Sequence, residues 1–162
     1  MIFEWNDYKT EDAAEIDSWL DEEAVRFTAM DEGWNADVAY WKENTADGMF
    51  WCKTISSGGV LTGAVYIIEW NEENQGGFTI GEVLLRPEVR GKGIGTAMIK
   101  ELMDHSSEII GKRMDSVDAV VFTSNAASIR MFEKAGFRIK TREDDPTIVD
   151  VEFTHSKKRM LS

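Results

Sequence analysis

Hydrophobic and polar positions change rhythm twice along this chain. In the first part the pattern is mostly helical. Residues 2–5 (Ile-Phe-Glu-Trp) predict a short first strand, and Glu11 to Leu20 predicts a helix with Thr10 as its N-cap. Ala14, Trp19 and Leu20 do not form a clean apolar stripe in that stretch. A second helix is predicted over Asp37 to Glu43, within residues 35–45. The pattern then becomes strand-like. Met49 to Ile55, Val60 to Glu69 and Phe78 to Leu85 are rich in β-branched and aromatic residues. Ser56-Ser57-Gly58-Gly59 and the polar segment Asn71 to Gly77 separate them as hairpin connections. After Pro87 the organisation changes again. A glycine-rich loop, Arg90 to Gly95, leads into a helix from Thr96 to Ile110. Met98, Ile99, Leu102, Met103, Ile109 and Ile110 give that helix an apolar face. Val117 to Phe122 is a nearly all-apolar strand, expected to be buried on both faces. Asn125 to Ala135 is a helix closed by Gly136. Phe137 to Thr141 and Thr147 to Thr154 complete seven strands. The order predicts an α/β (α+β) fold with a mixed, mostly antiparallel sheet flanked by helices, one domain over residues 1–155 and a tail over 156–162.

Charge changes this picture in one respect. The net charge of −12 argues against a nucleic-acid binder. It is unevenly spread: residues 1–85 carry a net −14, whereas residues 86–142 carry +4. A basic segment in an acidic protein points to an anionic ligand held there, and the acidic half suits a cationic partner or a merely solvated surface. No apolar run has a membrane-spanning length, and the acidic start does not resemble a secretory signal, so a cytoplasmic location is expected. The lone cysteine, Cys52, and the distant His105 and His155 offer no disulfide and no recognisable metal cluster.

The glycine loop carries the strongest signal. Gly91, Gly93 and Gly95 alternate between a strand and a helix start, with Arg90 and Lys92 among them. Glycines permit tight turns and close backbone approach, and a helix N-terminus presents free N–H groups and a positive dipole end. Together they form a pyrophosphate cradle, with the two cations at its rim. A Walker loop requires a different glycine spacing, and a dinucleotide fingerprint requires glycine where Thr96 stands.

The segment Arg90-Gly91-Lys92-Gly93-Ile94-Gly95, with Val83-Leu84-Leu85-Arg86-Pro87 before it, resembles the Arg/Gln-x-x-Gly-x-Gly/Ala signature of the Gcn5-related N-acetyltransferase superfamily. Asn125 to Phe137 resembles the superfamily's second common motif, so the close likeness covers residues 80–138. The resemblance implies acetyl-CoA as co-substrate and direct attack of an amine on its thioester, without an acyl-enzyme. It implies that backbone N–H groups of Arg90 to Gly95, with Thr96, hold the pyrophosphate. Val83, Leu84 and Leu85 would pair with the pantetheine, which enters where the fourth and fifth strands splay. Asn125, Ser128, Phe132 and Lys134 would complete the co-substrate site from the second motif.

An amine acceptor is mostly protonated near neutral pH and must lose a proton to attack. Glu82 is the candidate base, five residues before Pro87. Strict alternation would place it on one strand face with Ile80 and Leu84, and Gly81 with Val83 on the other. The superfamily's usual acid for the leaving thiolate is a tyrosine where this chain has Phe132, which cannot donate. Ser128 or Ser124 would then donate or orient a water, Tyr66 or Tyr40 would reach in from the acceptor side, or the thiolate would leave without an acid. Trp34 and Trp41, near Asp31, Glu32 and Asp37, are candidates for a slot that takes a cationic amine, or else pack in the core. The expected activity is therefore N-acetyl transfer to a cationic small molecule. The alternatives are a peptide acetyltransferase and a non-catalytic acyl-CoA-binding module. Homodimerisation is common in the superfamily.

Overall fold

The computed structural model describes residues 1–71 and 76–155. The expected tail and most of the expected loop after Asn71 lie outside the described residues. Seven strands form one sheet in the order β1-β2-β3-β4-β5-β7-β6. They are β1 (Glu4–Asp7), β2 (Phe50–Ser57), β3 (Val60–Glu69), β4 (Phe78–Leu85), β5 (Ser116–Phe122), β6 (Arg138–Thr141) and β7 (Ile148–Thr154). The helices are α1 (Ala13–Asp17), α2 (Glu22–Thr28), α3 (Trp34–Glu43), α4 (Ile94–Asp104), α5 (Ser106–Ile109) and α6 (Ala126–Lys134). Every neighbouring pair of strands is antiparallel except β4 and β5. Those two are joined through α4 and α5, a connection long enough to return the chain in the same direction.

Two cores lie on opposite faces of the sheet. On one, Met98, Ile99, Leu102 and Met103 of α4 and Phe132 of α6 pack with Val65, Ile67, Ile80, Val117, Ala119 and Val121. On the other, Ile16, Trp19, Ala24, Trp34 and Val38 from α1–α3 cover Ala64, Tyr66, Ile68 and Leu84. This second layer stops at β4. The burial of β5 therefore alternates, and Val120 and Phe122 remain 53% and 38% exposed, where burial on both faces was expected.

Tertiary contacts shift the helices from their predicted bounds. The stretch read as one helix over residues 11–20 is a 3-10 turn (Thr10–Asp12) followed by the short α1. Thr10 does not cap it. Trp19 leaves the helix because its ring is almost fully buried and its carbonyl accepts a hydrogen bond from Arg90. The sequence reading missed α2. Asp21 Oδ1 accepts from the Ala24 N–H at 2.9 Å, and Glu22 and Glu23 follow in the first turn, an N-terminal signature that was legible. The long helix predicted to reach Ile110 breaks at His105, which has a non-helical φ of −125°.

Glu101 of α4 is a buried carboxylate that anchors the first strand. It accepts from the N–H groups of Ile2 and Phe3 and from the Trp5 indole at 2.8, 3.0 and 2.9 Å. Burial alone would raise its pKa, but these donors outweigh it and hold the group below the ordinary carboxylate range. Glu101 thus stabilises the fold above the unfolded-state pKa, and that contribution is lost as pH falls through the lower folded pKa. Glu101→Ala is expected to cost about 3 kcal/mol, since it orphans several donors. Urea melts should show the difference between variant and wild type at pH 7 and a smaller difference at pH 3.

Candidate active site

β4 and β5 are in register only at Phe78↔Val117 and Thr79↔Asp118. Beyond that point they diverge, leaving the β5-facing backbone of Ile80 to Leu85 without a strand partner. A cleft of about 590 Å³ fills the gap. Val83, Leu84 and Leu85 form one wall, Ala119 to Phe122 the other, and α2, the glycine loop and α6 close its ends.

The glycine loop is shaped as a cradle. Gly91 and Gly93 have φ of +73° and +81°, a region that disfavours other residues, and a side chain added at either would meet nothing. The first bond of α4 runs from the Ala97 N–H to the Gly93 carbonyl at 3.0 Å, so the N–H groups of Ile94, Gly95 and Thr96 precede it and lack helical partners. Gly95 packs against α6 instead: a Cβ there would stand 2.6 Å from the Met131 sulfur, and the Met131 side chain would have to shift. These features fit a diphosphate.

Two expectations about the loop change. Arg90 does not stand free at the rim. Its Nη1 donates to Asp21 Oδ2 at 2.7 Å, its Nη2 to the Trp19 carbonyl at 2.7 Å, and its Nε to the Leu85 carbonyl at 3.2 Å. The Arg90 N–H is bonded to the Pro87 carbonyl, so the free cradle begins at Gly91. Lys92 is exposed and does not line the cleft; nor does Ile94, which packs on the core. Arg130, which the sequence reading missed, and Lys134 supply cations from α6. Asn125 caps α6 by accepting from the Ser128 N–H at 3.2 Å, and Asn125, Ser128 and Phe132 all line the cleft.

Glu82 lies on the cleft wall, but simple alternation misplaces its neighbours. Tyr66 pairs with Glu82 and Ile67 with Ile80, so Gly81 is an extra residue in β4, a β-bulge. The bulge moves Ile80 onto the α4 face with Val83 and Leu85, and leaves Glu82 with Leu84 on the face covered by α1–α3. Tyr66 explains the glycine. Its ring lies over Gly81 so closely that an added Cβ would fall 2.0 Å from Cε1. The Tyr66 hydroxyl donates to Asp37 Oδ2 of α3 at 2.8 Å. Burial, and then the Asp37 charge, push the Glu82 carboxyl up to about 8.

The other expected donors and slots fall elsewhere. Tyr66 is buried and committed to Asp37, and its own pKa is pushed upward, mainly by burial. Tyr40 is exposed on α3 against Trp41. Trp34 is fully buried, edge-on to Tyr66 at 5.7 Å, so it is core and not part of an open slot. Phe132 packs edge-on to Phe137 at 5.1 Å. No helix among the described residues is long and apolar enough to cross a membrane.

Solved structures share this architecture at low identity. A Bacillus subtilis acetyltransferase in complex with CoA is 12% identical, with TM-score 0.65, over 95% of this chain and 98% of that one. A spermidine N-acetyltransferase SpeG chimera from Vibrio cholerae and hSSAT is 16% identical, with TM-score 0.70, over 100% of both chains. The GNAT domain of S. lividans PAT is 16% identical, with TM-score 0.68, over 93% of this chain and 89% of that one. No match was found among curated protein sequences. The sequence profile of the Acetyltransferase (GNAT) family matches residues 6–137, most of the chain. With that match, the splayed strands and the glycine cradle, the chain belongs to the acetyltransferase (GNAT) family, whose members are acyltransferases with acetyl-CoA as co-substrate.

Proposed function

We propose that the protein moves an acetyl group from acetyl-CoA to the primary amine of a small cationic acceptor, with Glu82 as general base. The observation that carries this reading is the position of Glu82, a carboxylate poised near neutral pH on the wall of the cleft between the splayed strands. The N–H groups from Gly91 to Thr96 hold the diphosphate, and Arg130 and Lys134 offset its charge. The cleft-facing backbone from Val83 to Leu85 pairs with the pantetheine, apart from the Leu85 carbonyl, which accepts from Arg90, and Asn125, Ser128 and Phe132 flank it from α6. An ammonium entering beside Glu82 gives a proton to it. The neutral amine attacks the thioester carbonyl, a C–N bond forms and the C–S bond breaks; coenzyme A leaves as a thiolate and takes up the second proton that the nitrogen sheds, so the products are the neutral amide and the free thiol.

That thiolate derives from a thiol with a pKa near 8.5, so it departs without a dedicated acid. Ser128, which lines the cleft, is the side chain we assign to offer it a hydrogen bond. Phe132→Tyr is expected to leave kcat within about a factor of three, whereas restoring a missing general acid would raise it on the order of 10²-fold. Steady-state thiol release distinguishes the two.

The reading as a whole is tested by calorimetric titration with acetyl-CoA, followed by thiol release against an amine panel. Tight binding with turnover is the expected result. Absence of binding would overturn the assignment of the glycine loop.

A further inference from the structure

The cleft has two sides, and only one is accounted for by the co-substrate. The glycine loop and α6 lie on the face that carries Val117, Ala119 and Val121. The opposite side is bounded by α2, whose Ala24 belongs to the other core, and by the outward residues of β5. Glu82 faces this second side, because it is directly opposite Tyr66 in the ladder. The same cleft is lined by Phe27 of α2, Val120 and Phe122 of β5, and Ile148 of β7, the last directly opposite Phe122.

Val120 and Phe122 are among the most exposed large apolar side chains of the molecule, and they line a cleft that leads to a carboxylate. Apolar walls with one convergent charge are the usual form of a small-molecule site. The carboxylates lining the cleft, among the described residues, are Glu82 and Glu23 at the α2 rim. A linear polyamine needs spaced anions along its length, and the wall beyond Glu82 offers hydrocarbon.

We propose that the acceptor is a primary amine carried on an apolar body, aryl or branched alkyl, which packs against Phe27, Val120, Phe122 and Ile148 while its ammonium meets Glu82. This rests on the acetyl-transfer reading and narrows its acceptor. Cost of exposure explains the patch: the side chains remain uncovered until the acceptor removes them from water.

The experiment compares 2-phenylethylamine with spermidine as acceptors, in wild type and in Val120→Asp. Val120 is exposed, so the variant is expected to fold, and melting temperature verifies this. Wild type should turn over 2-phenylethylamine with kcat/KM at least about tenfold above spermidine, the discrimination a small apolar contact supplies. Val120→Asp should reduce that preference at least about tenfold, through the KM of the amine. Preference for spermidine, or an unchanged ratio in the variant, would overturn the proposal. Ligand-observed NMR with CoA present separates the two readings. Binding of 2-phenylethylamine that is lost in Val120→Asp supports the apolar surface even without turnover, and then the fault lies with acetyl transfer. Acetyl-CoA binding without any binding of the amine overturns the apolar acceptor alone.

Discussion

Glu82→Gln is expected to lower kcat by about 10²- to 10⁴-fold, the range a positioned general base supplies, with acetyl-CoA affinity unchanged. Gln keeps the shape and the polar contact but cannot take a proton. In the wild type, kcat/KM should rise with pH through a limb near 8, because a base at Glu82 would work only when ionised. Asp37→Asn removes the nearby negative charge that helps raise Glu82, so that limb should move to lower pH. Stability gives an independent readout. The folded-state pKa of Glu82 lies above the unfolded value, so its contribution is most favourable below the unfolded pKa. It declines as pH rises through that value toward about 8, and the penalty is complete above. Glu82→Gln removes that penalty, so the variant should gain stability over wild type as pH is raised from 5 to 9. A variant with full kcat but the expected stability profile would show that Glu82 is buried where described and does no proton transfer.

Gly81→Ala is expected to damage stability and catalysis together. The added methyl carbon would fall 2.0 Å from the Tyr66 ring, which is itself held by Asp37 and by packing against Trp34 and Phe50. Either the ring or the bulge must move. Overpacking of this kind costs about 1–3 kcal/mol, and here the displaced backbone is that of the neighbouring Glu82. Thermal melts and kcat/KM should fall together, with acetyl-CoA binding least affected because the glycine cradle is remote along β4. The double variant Gly81→Ala/Tyr66→Leu should be less damaging than the sum of its parts, since the smaller side chain vacates the contested space. Strict additivity would mean that the ring does not dictate the glycine.

Much of this molecule was legible in the sequence because local physics decides it. Gly91 and Gly93, both at positive φ just before an apolar-faced helix, make the tight loop that leads into α4. The β-branched runs and Gly58-Gly59, both at positive φ, specify the β2–β3 hairpin. Helix α6 was likewise fixed by Asn125 at its start and Gly136 after its end. Glu82 stood out as a carboxylate in an apolar strand.

The rest depended on distant partners. Residues 11–20 have helical propensity, yet the burial of Trp19 and the hold of Arg90 on its carbonyl end the helix early. Arg90 reads as a phosphate contact until Asp21, Trp19 and Leu85 claim its donors. Trp34 reads as a ligand slot or, more often for such a tryptophan, as core, and the packing of α3 on β3 decides for core. The bulge at Gly81 reverses the facing of Ile80 relative to Glu82, and a period-2 pattern contains no sign of one inserted residue. Val120 and Phe122 show the same limit. Sequence determines that they are apolar and lie on a strand. Whether a helix covers them depends on where α1–α3 end across the sheet, and that is settled by contacts between residues far apart in the chain.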